Sequence, residues 1–181
     1  RRRDAWSPVD RGVAERCILG FNAGPPMNPS AYNNNVQIFQ APGYVVLLNE
    51  MVHDSRIVSL DGRDHLPDEM RQWRGDSRGH WDGDTLVVES TNFTDKTSFS
   101  GSGRAMRLVE RFTRIDDGTV LYEYTVDDSD SFVSPWTVAI PMKHSDQPLF
   151  EYACHEGNYG MTNLMESARA VDAQRAVSGA Q

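Results

Sequence analysis

Short runs of aliphatic, aromatic and β-branched residues recur along the chain from Val36 onward, and turn-forming residues separate each run from the next. Where apolar and polar residues alternate within a run, as in residues 108–114, the period of two is that of a strand with one buried face. The runs predicted as strands are 36–40, 44–52, 56–60, 85–93, 107–115, 120–127, 136–143 and 149–155.

Asp-Gly pairs lie between several of these runs, at positions 61–62, 82–83 and 117–118. Because Gly accepts positive φ and Asp bonds to its own backbone, such pairs favour hairpins and therefore antiparallel strand pairing. The sequence predicts an all-β fold of about eight strands, either a single antiparallel barrel of the lipocalin-like type or a closely related sandwich.

The composition divides the 181 residues into three parts, although the length is that of one ordinary domain. Residues 1–35 are rich in Pro, Gly and Asn and are predicted to form an irregular N-terminal wrapping arm. Residues 36–160 form the β-barrel domain, and residues 161–181 a short C-terminal helix with Leu164, Ala168 and Val171 at helical spacing. The arm covers either its own barrel or a neighbouring subunit, so the sequence does not decide whether the protein forms a homo-oligomer.

The formal net charge is -8, and the acidic residues are scattered rather than grouped. Nucleic acid and anionic membrane are disfavoured as partners because both need a concentrated basic face. No segment approaches the roughly 18 consecutive apolar residues of a membrane-spanning helix. The partner expected from these observations is a small-molecule ligand.

The two cysteines, Cys17 and Cys154, lie near opposite ends of the chain. They are either two buried thiols or one disulfide that ties the terminal regions together, and an exported protein favours the disulfide. Closing so long a loop would stabilise the fold by roughly 4 to 5 kcal/mol in the loop-entropy description.

Strand alternation places Glu110 on the same face as Leu108 and Phe112, which makes it a candidate interior carboxylate. An ionised carboxylate in an apolar interior needs a cation, a hydrogen-bond donor or a function. The alternative is an outward face or a salt bridge across the sheet. On the next strand, Tyr122 and Tyr124 share one face, and this aromatic wall suits a sugar or aromatic ligand or serves ordinary packing.

Residues 73–81 are predicted as a loop that concentrates polar chemistry, with arginine, aspartate, serine, histidine and two tryptophans in nine positions. Its glycines allow close approach of the backbone to a ligand, so the loop is a candidate binding or catalytic site. An equal interpretation is that the loop closes one end of the barrel and is held in place by its tryptophans. The two interpretations are compatible.

The five histidines are His53, His65, His80, His144 and His155, and none has the paired spacing of a standard metal motif. Histidines from separate strands could hold a divalent metal without leaving such a spacing, so the sequence does not decide whether a divalent metal is bound. Cofactors are otherwise unknown, and a metal-free polar site in which histidine transfers protons is favoured.

A longer motif, GHWxGDTLVV, begins at Gly79, and a second, EYxCxE, begins at Glu151. Together with the sequence around Glu110, these motifs resemble those of an uncharacterised group of exported bacterial proteins. The resemblance covers the chain from about Ala41 to Gly160. It implies export and a periplasmic or secreted location, and it implies no catalytic residue.

Two functions follow as hypotheses. The first is an exported enzyme, of lyase, isomerase or hydrolase type, that uses acid–base chemistry on a small polar or glycosidic compound. The candidate catalytic residues are His53, His80, Glu110 and Asp76, and the candidate substrate-binding residues are Arg56, Arg78, Trp81, Tyr122 and Tyr124. The second is a non-catalytic ligand-binding or structural assembly protein of the cell envelope or extracellular space. The enzyme hypothesis predicts that His80, Glu110 and another histidine converge in one pocket.

Overall fold

The computed structural model describes residues 11–96 and 99–178, which form eight strands, a short 3-10 turn and one helix. The elements are β1 (Val36–Ala41), β2 (Tyr44–Asn49), β3 (Ser55–Ser59), β4 (Asp76–Asp82), β5 (Thr85–Thr91), β6 (Arg107–Asp116), β7 (Thr119–Asp127), β8 (Trp136–Lys143) and α1 (Tyr159–Ser178). The 3-10 turn Met51–His53 follows β2.

All eight strands belong to one sheet, in which each strand pairs with its neighbour in the chain. The pairing is antiparallel except between β3 and β4, which meet in parallel at Ser59 and Arg78. The sheet curls into a half-barrel with β1 and β8 as its edges. The predicted all-β fold of about eight strands is thereby confirmed, as a curled open sheet.

Two segments differ from their predictions. Residues 149–155, predicted as a strand, are irregular, whereas part of the predicted loop 73–81 is strand β4. Strand β4 contains no β-branched residue, so its sequence has little intrinsic strand preference. Pairing with β5 determines its conformation instead. Gly79 lets β4 lie close to β3, because a Cβ at this position would lie 2.7 Å from Val58 Cγ1.

The concave face of the sheet carries the hydrophobic core. Its buried members are Met27, Val45, Leu47, Val58, Leu86, Val88, Phe93, Met106, Leu108, Phe112, Tyr122, Tyr124 and Val126. The rings of Phe112 and Tyr122 are tilted against each other with centroids 4.9 Å apart. The aromatic wall predicted from the sequence is therefore a packed part of the core.

The N-terminal arm covers the concave face of its own sheet. Met27 lies in the core, and its backbone N–H donates a hydrogen bond of 3.0 Å to the Tyr122 hydroxyl. The Tyr124 hydroxyl donates a 2.8 Å hydrogen bond to Oδ1 of the neighbouring Asn28. These contacts make the arm one wall of the interior.

The predicted disulfide between Cys17 and Cys154 is present and joins the arm to the segment that follows β8. The C-terminal helix is also present, but Leu164 and Val171 are largely exposed and Met165 is its buried residue. Within the described residues, no helix combines the length and the apolar character that crossing a bilayer requires.

Candidate functional site

Charged side chains gather on both faces of the sheet, in two separate networks. The inner network, on the concave face, consists of Arg56, Glu110 and Tyr122. The outer network, on the convex face, consists of His65, Asp76, Arg78, Glu89 and Arg107. Strand alternation keeps them apart, because successive side chains of a strand point to opposite faces.

The inner network is closed to solvent. Glu110 has no exposed surface, and both its carboxylate oxygens accept hydrogen bonds from the Arg56 guanidinium, with an Nη2–Oε1 distance of 2.8 Å. The Tyr122 hydroxyl donates to Oε1 of Glu110 at 2.7 Å and accepts the Met27 N–H. The buried charge therefore has the cation and the donor that its burial requires.

The pKa shifts show that the inner network holds its protons firmly. Burial, followed by the adjacent Glu110 charge, raises the pKa of Tyr122 well above its ordinary value. Burial alone would lower the pKa of Arg56, but the Glu110 carboxylate outweighs it and the pKa is raised. Tyr122 is thus a neutral donor and Arg56 a permanent cation at neutral pH, so the network is suited to structure rather than to proton transfer.

The outer network is centred on Asp76, which lies at the start of β4 and is nearly buried. Its Oδ2 accepts the Leu66 backbone N–H at 3.0 Å and lies 2.9 Å from His65 Nδ1. Its Oδ1 lies 2.9 Å from the Arg78 guanidinium. Asp76 therefore fixes both the backbone of the 61–75 segment and the orientation of the His65 ring.

The other ring nitrogen of His65 faces a second carboxylate. His65 Nε2 lies 3.7 Å from Oε1 of Glu89, whose carboxylate accepts two hydrogen bonds from Arg107, at 3.0 and 2.6 Å. The Arg107 hydrogen bond lowers the pKa of Glu89 despite partial burial, and the nearby charges of His65 and His80 act in the same direction. Glu89 is therefore held as an anion beside the imidazole.

This arrangement can perform general base chemistry. An ionised carboxylate only accepts hydrogen bonds, so the short contact with Asp76 places a hydrogen on Nδ1 of His65. In the neutral ring, Nε2 then carries the lone pair, and the side chain is 24% exposed. An imidazole oriented by a carboxylate through one nitrogen is the arrangement of histidine bases in many enzymes, and here the second nitrogen faces Glu89 at 3.7 Å.

The structure brings some of the predicted site residues together and separates others. Asp76, Arg78 and His80 share the outer face of β4, while Arg56, Glu110, Tyr122 and Tyr124 lie inside. His80 and Glu110 do not converge, because they lie on opposite faces of the sheet.

Two further predicted residues lie outside both networks. His53 is in the 3-10 turn, where its Nε2 accepts the Tyr152 N–H at 3.2 Å. Trp81, near the end of β4, is 47% exposed. Neither residue contributes to the His65 arrangement.

Sequence reasoning missed His65, Glu89 and Arg107 as site residues. The signal for Glu89 was present: a two-residue hairpin at Gly83-Asp84 sets Arg78 directly opposite Glu89 once β4 is recognised as a strand. His65 belongs to an irregular segment without periodicity, so no sequence pattern indicates its contact with Asp76.

Among the side chains of residues 11–96 and 99–178, no group of three or more His, Cys, Asp or Glu is placed to hold a metal ion. The outer network supplies a single imidazole and two carboxylates that are already held by arginines.

No family model matches this chain, and no curated protein or solved structure matches it.

Proposed function

We propose that this chain is an exported enzyme that carries out acid–base chemistry on a small polar or glycosidic compound, with His65 as general base. The observation that carries the proposal is the 2.9 Å contact between His65 Nδ1 and the nearly buried Asp76, which fixes the ring while its side chain stays 24% exposed. Asp76 orients the ring and stabilises the imidazolium that forms when Nε2 takes a proton.

Glu89 and His80 complete the proposed centre. Glu89, held by Arg107, places a negative charge 3.7 Å from Nε2 of His65. His80 extends from the same face of β4, close enough to affect Glu89 electrostatically, and acts as the proton donor to the leaving group. Base and acid then come from different elements beside one patch of surface.

The surroundings support a polar substrate and favour hydrolysis among the three reaction types. The outer face presents guanidinium and carboxylate groups, and the Thr125–Thr137 hydroxyl pair at 2.7 Å lies on the same face, two strands from Glu89. Such a face matches the hydroxyl groups of a sugar. The His65 side chain is 24% exposed, so water reaches the imidazole, and hydrolysis is the reaction in which water is the second substrate.

The disulfide supports the exported location. Reducing conditions in the cytosol keep most thiols free, whereas a Cys17–Cys154 bridge persists in the periplasm or outside the cell. The resemblance of the GHWxGDTLVV motif to exported bacterial proteins points in the same direction.

The test is hydrolysis of a panel of aryl glycosides and small polar esters between about pH 5 and 9, the range in which imidazole titrates. We expect His65→Asn to lower kcat by about a hundredfold or more, the usual contribution of a general base. The matched control is His155→Asn, because His155 is an exposed histidine that belongs to neither network.

Thermal unfolding of both variants separates loss of chemistry from loss of fold. Equal activity of His65→Asn and the parent would contradict the assignment of the base. Absence of turnover across the panel, with compounds still bound, would favour the non-catalytic alternative.

A further inference from the structure

A cleft of about 670 Å³ lies along the seam of the half-barrel, between β1 and the paired ends of β7 and β8. It exists because no pairing joins the edge strands β1 and β8 in the sheet. None of the residues that line it belongs to the outer network. The volume falls within the range of about 300 to 1,000 Å³ that small-molecule sites occupy.

The floor of the cleft is apolar. The residues that border the cleft while packing against the core are Met27 of the arm, Val36 of β1, Val120 of β7, and Ile140 and Met142 of β8. Ile38 of β1, which is 37% exposed, also lines the cleft. The floor favours a ligand with an apolar chain or ring, because covering it removes hydrocarbon surface from water.

The wall of the cleft is rich in amides. Asn33 and Gln147 line it, and their side-chain amides make no hydrogen bond to another described residue. Asn28 accepts from Tyr124 through Oδ1, which leaves its Nδ2 hydrogens for a ligand. Because an amide both donates and accepts, such a wall matches neutral hydroxyl groups better than it matches a charged group.

The charges at the rim balance, and each of them has a partner on the protein. Arg114 donates to Asp117 at 3.1 Å, and Lys143 donates to the Thr119 hydroxyl at 2.6 Å. Asp116 is held mainly by the Gly118 N–H, and Lys143 also contributes to lowering its pKa. An anionic head group would meet two carboxylates beside these cations, so the rim does not favour it.

We propose that the seam cleft binds a neutral amphiphile, an alkyl or aryl glycoside in which the apolar part covers the floor and the sugar hydroxyls meet the amide wall. At about 30 Å³ for each water-sized group, the cleft holds about twenty non-hydrogen atoms, the size of a monosaccharide with a medium alkyl chain. The proposal stands independently of His65 and of any catalysis.

The experiment is calorimetric titration with octyl glucoside below its micelle concentration, with glucose and octanoate as comparison compounds. We expect saturable binding at one site per chain for octyl glucoside and binding at least about tenfold weaker for the other two, equivalent to about 1.4 kcal/mol. Binding of octanoate as tight as that of octyl glucoside would overturn the neutral head group.

Matched variants locate the site. Ile38→Trp fills the cleft and is expected to weaken octyl glucoside at least about tenfold, or 1.4 kcal/mol. Ile57→Trp makes the same change on the outer face of β3, where the isoleucine is 64% exposed, and leaves binding unchanged. Equal binding by Ile38→Trp and the parent would overturn the location.

A measurement on the unaltered protein keeps the test independent of how the variants fold. With methyl-labelled methionine, octyl glucoside is expected to shift the signals of Met27 and Met142, which line the cleft. The exposed Met70, away from the cleft, serves as the internal control and stays in place. Shifts at Met70 alone, or at no methionine despite saturation, would overturn the proposal.

Discussion

The inner and outer networks are built from similar side chains on opposite faces of one sheet. Each pairs an arginine with a glutamate through two hydrogen bonds, Arg56 with Glu110 inside and Arg107 with Glu89 outside. They differ in access to water: the Glu110 side chain is fully buried, whereas that of Glu89 is 34% exposed. They differ also in their third member, a tyrosine inside and a histidine outside.

These differences assign the two networks different roles. Inside, burial raises the pKa of Tyr122 and keeps its proton in place, so the network joins β3, β6, β7 and the arm. Outside, the third member is a partly exposed imidazole, the side-chain type best suited to proton exchange. A charged cluster is therefore a candidate for chemistry when it includes a group that exchanges protons and is accessible to a substrate.

The largest effect is expected from breaking the inner network. Glu110→Ala leaves the Arg56 charge buried without its partner and should lower the free energy of unfolding by about 3 to 5 kcal/mol. Chemical denaturation measures this loss. The double variant Arg56→Met with Glu110→Leu removes both charges and should recover most of it, and a double variant as unstable as Glu110→Ala would contradict this account of the cost.

A smaller effect is expected from removing one hydroxyl. Tyr122→Phe deletes the donor to Glu110 and the acceptor of the Met27 N–H, two buried hydrogen bonds. The free energy of unfolding should fall by about 1 to 3 kcal/mol, the cost of leaving buried polar groups unsatisfied. Tyr124→Phe is the matched control, since its hydroxyl makes one bond, to Asn28 at the arm. A Tyr124→Phe loss larger than that of Tyr122→Phe would contradict the ranking.

The smallest effect is expected from Arg107→Gln in the outer network. Because Glu89 is partly exposed, the loss of unfolding free energy should stay below about 1 kcal/mol. Arg107 lowers the pKa of folded Glu89, so the pair stabilises above the unfolded pKa and loses this contribution as the pH falls through the folded pKa.

The variant should move the Glu89 pKa back up, which an NMR titration of the carboxyl carbon measures. It should also flatten this part of the stability profile below neutral pH. An unchanged Glu89 pKa in Arg107→Gln would show that the hydrogen bond does not set it.

The sequence predicted the parts of this molecule that depend on local periodicity. Alternation around Glu110 placed its side chain inward, and the apolar runs located seven of the eight strands. The partner of Glu110 was not predictable, because Arg56 reaches it only after the curl of the sheet sets β3 opposite β6. Strand β4 was missed because its pairing, and not its composition, makes it a strand.

The candidate site, like the fold, was predictable from the sequence only in part. Asp76, Arg78 and His80 were identified from the density of polar groups in one segment, and the structure places them on one face. The proposed base, His65, comes from an irregular segment and meets Asp76 through a contact that no local pattern encodes. The candidate site therefore depends on contacts between elements more than on any single motif.

The Cys17–Cys154 linkage has a further consequence for how the protein responds to proteolysis. All eight strands lie between the two half-cystines, which are separated by 137 positions in the chain. A single peptide-bond cleavage within that interval leaves both fragments covalently attached, so the nicked molecule keeps its mass in a non-reducing gel, plus one water. Only a thiol reductant releases the pieces, which lets the protein tolerate a clipped surface turn without losing half of its sheet.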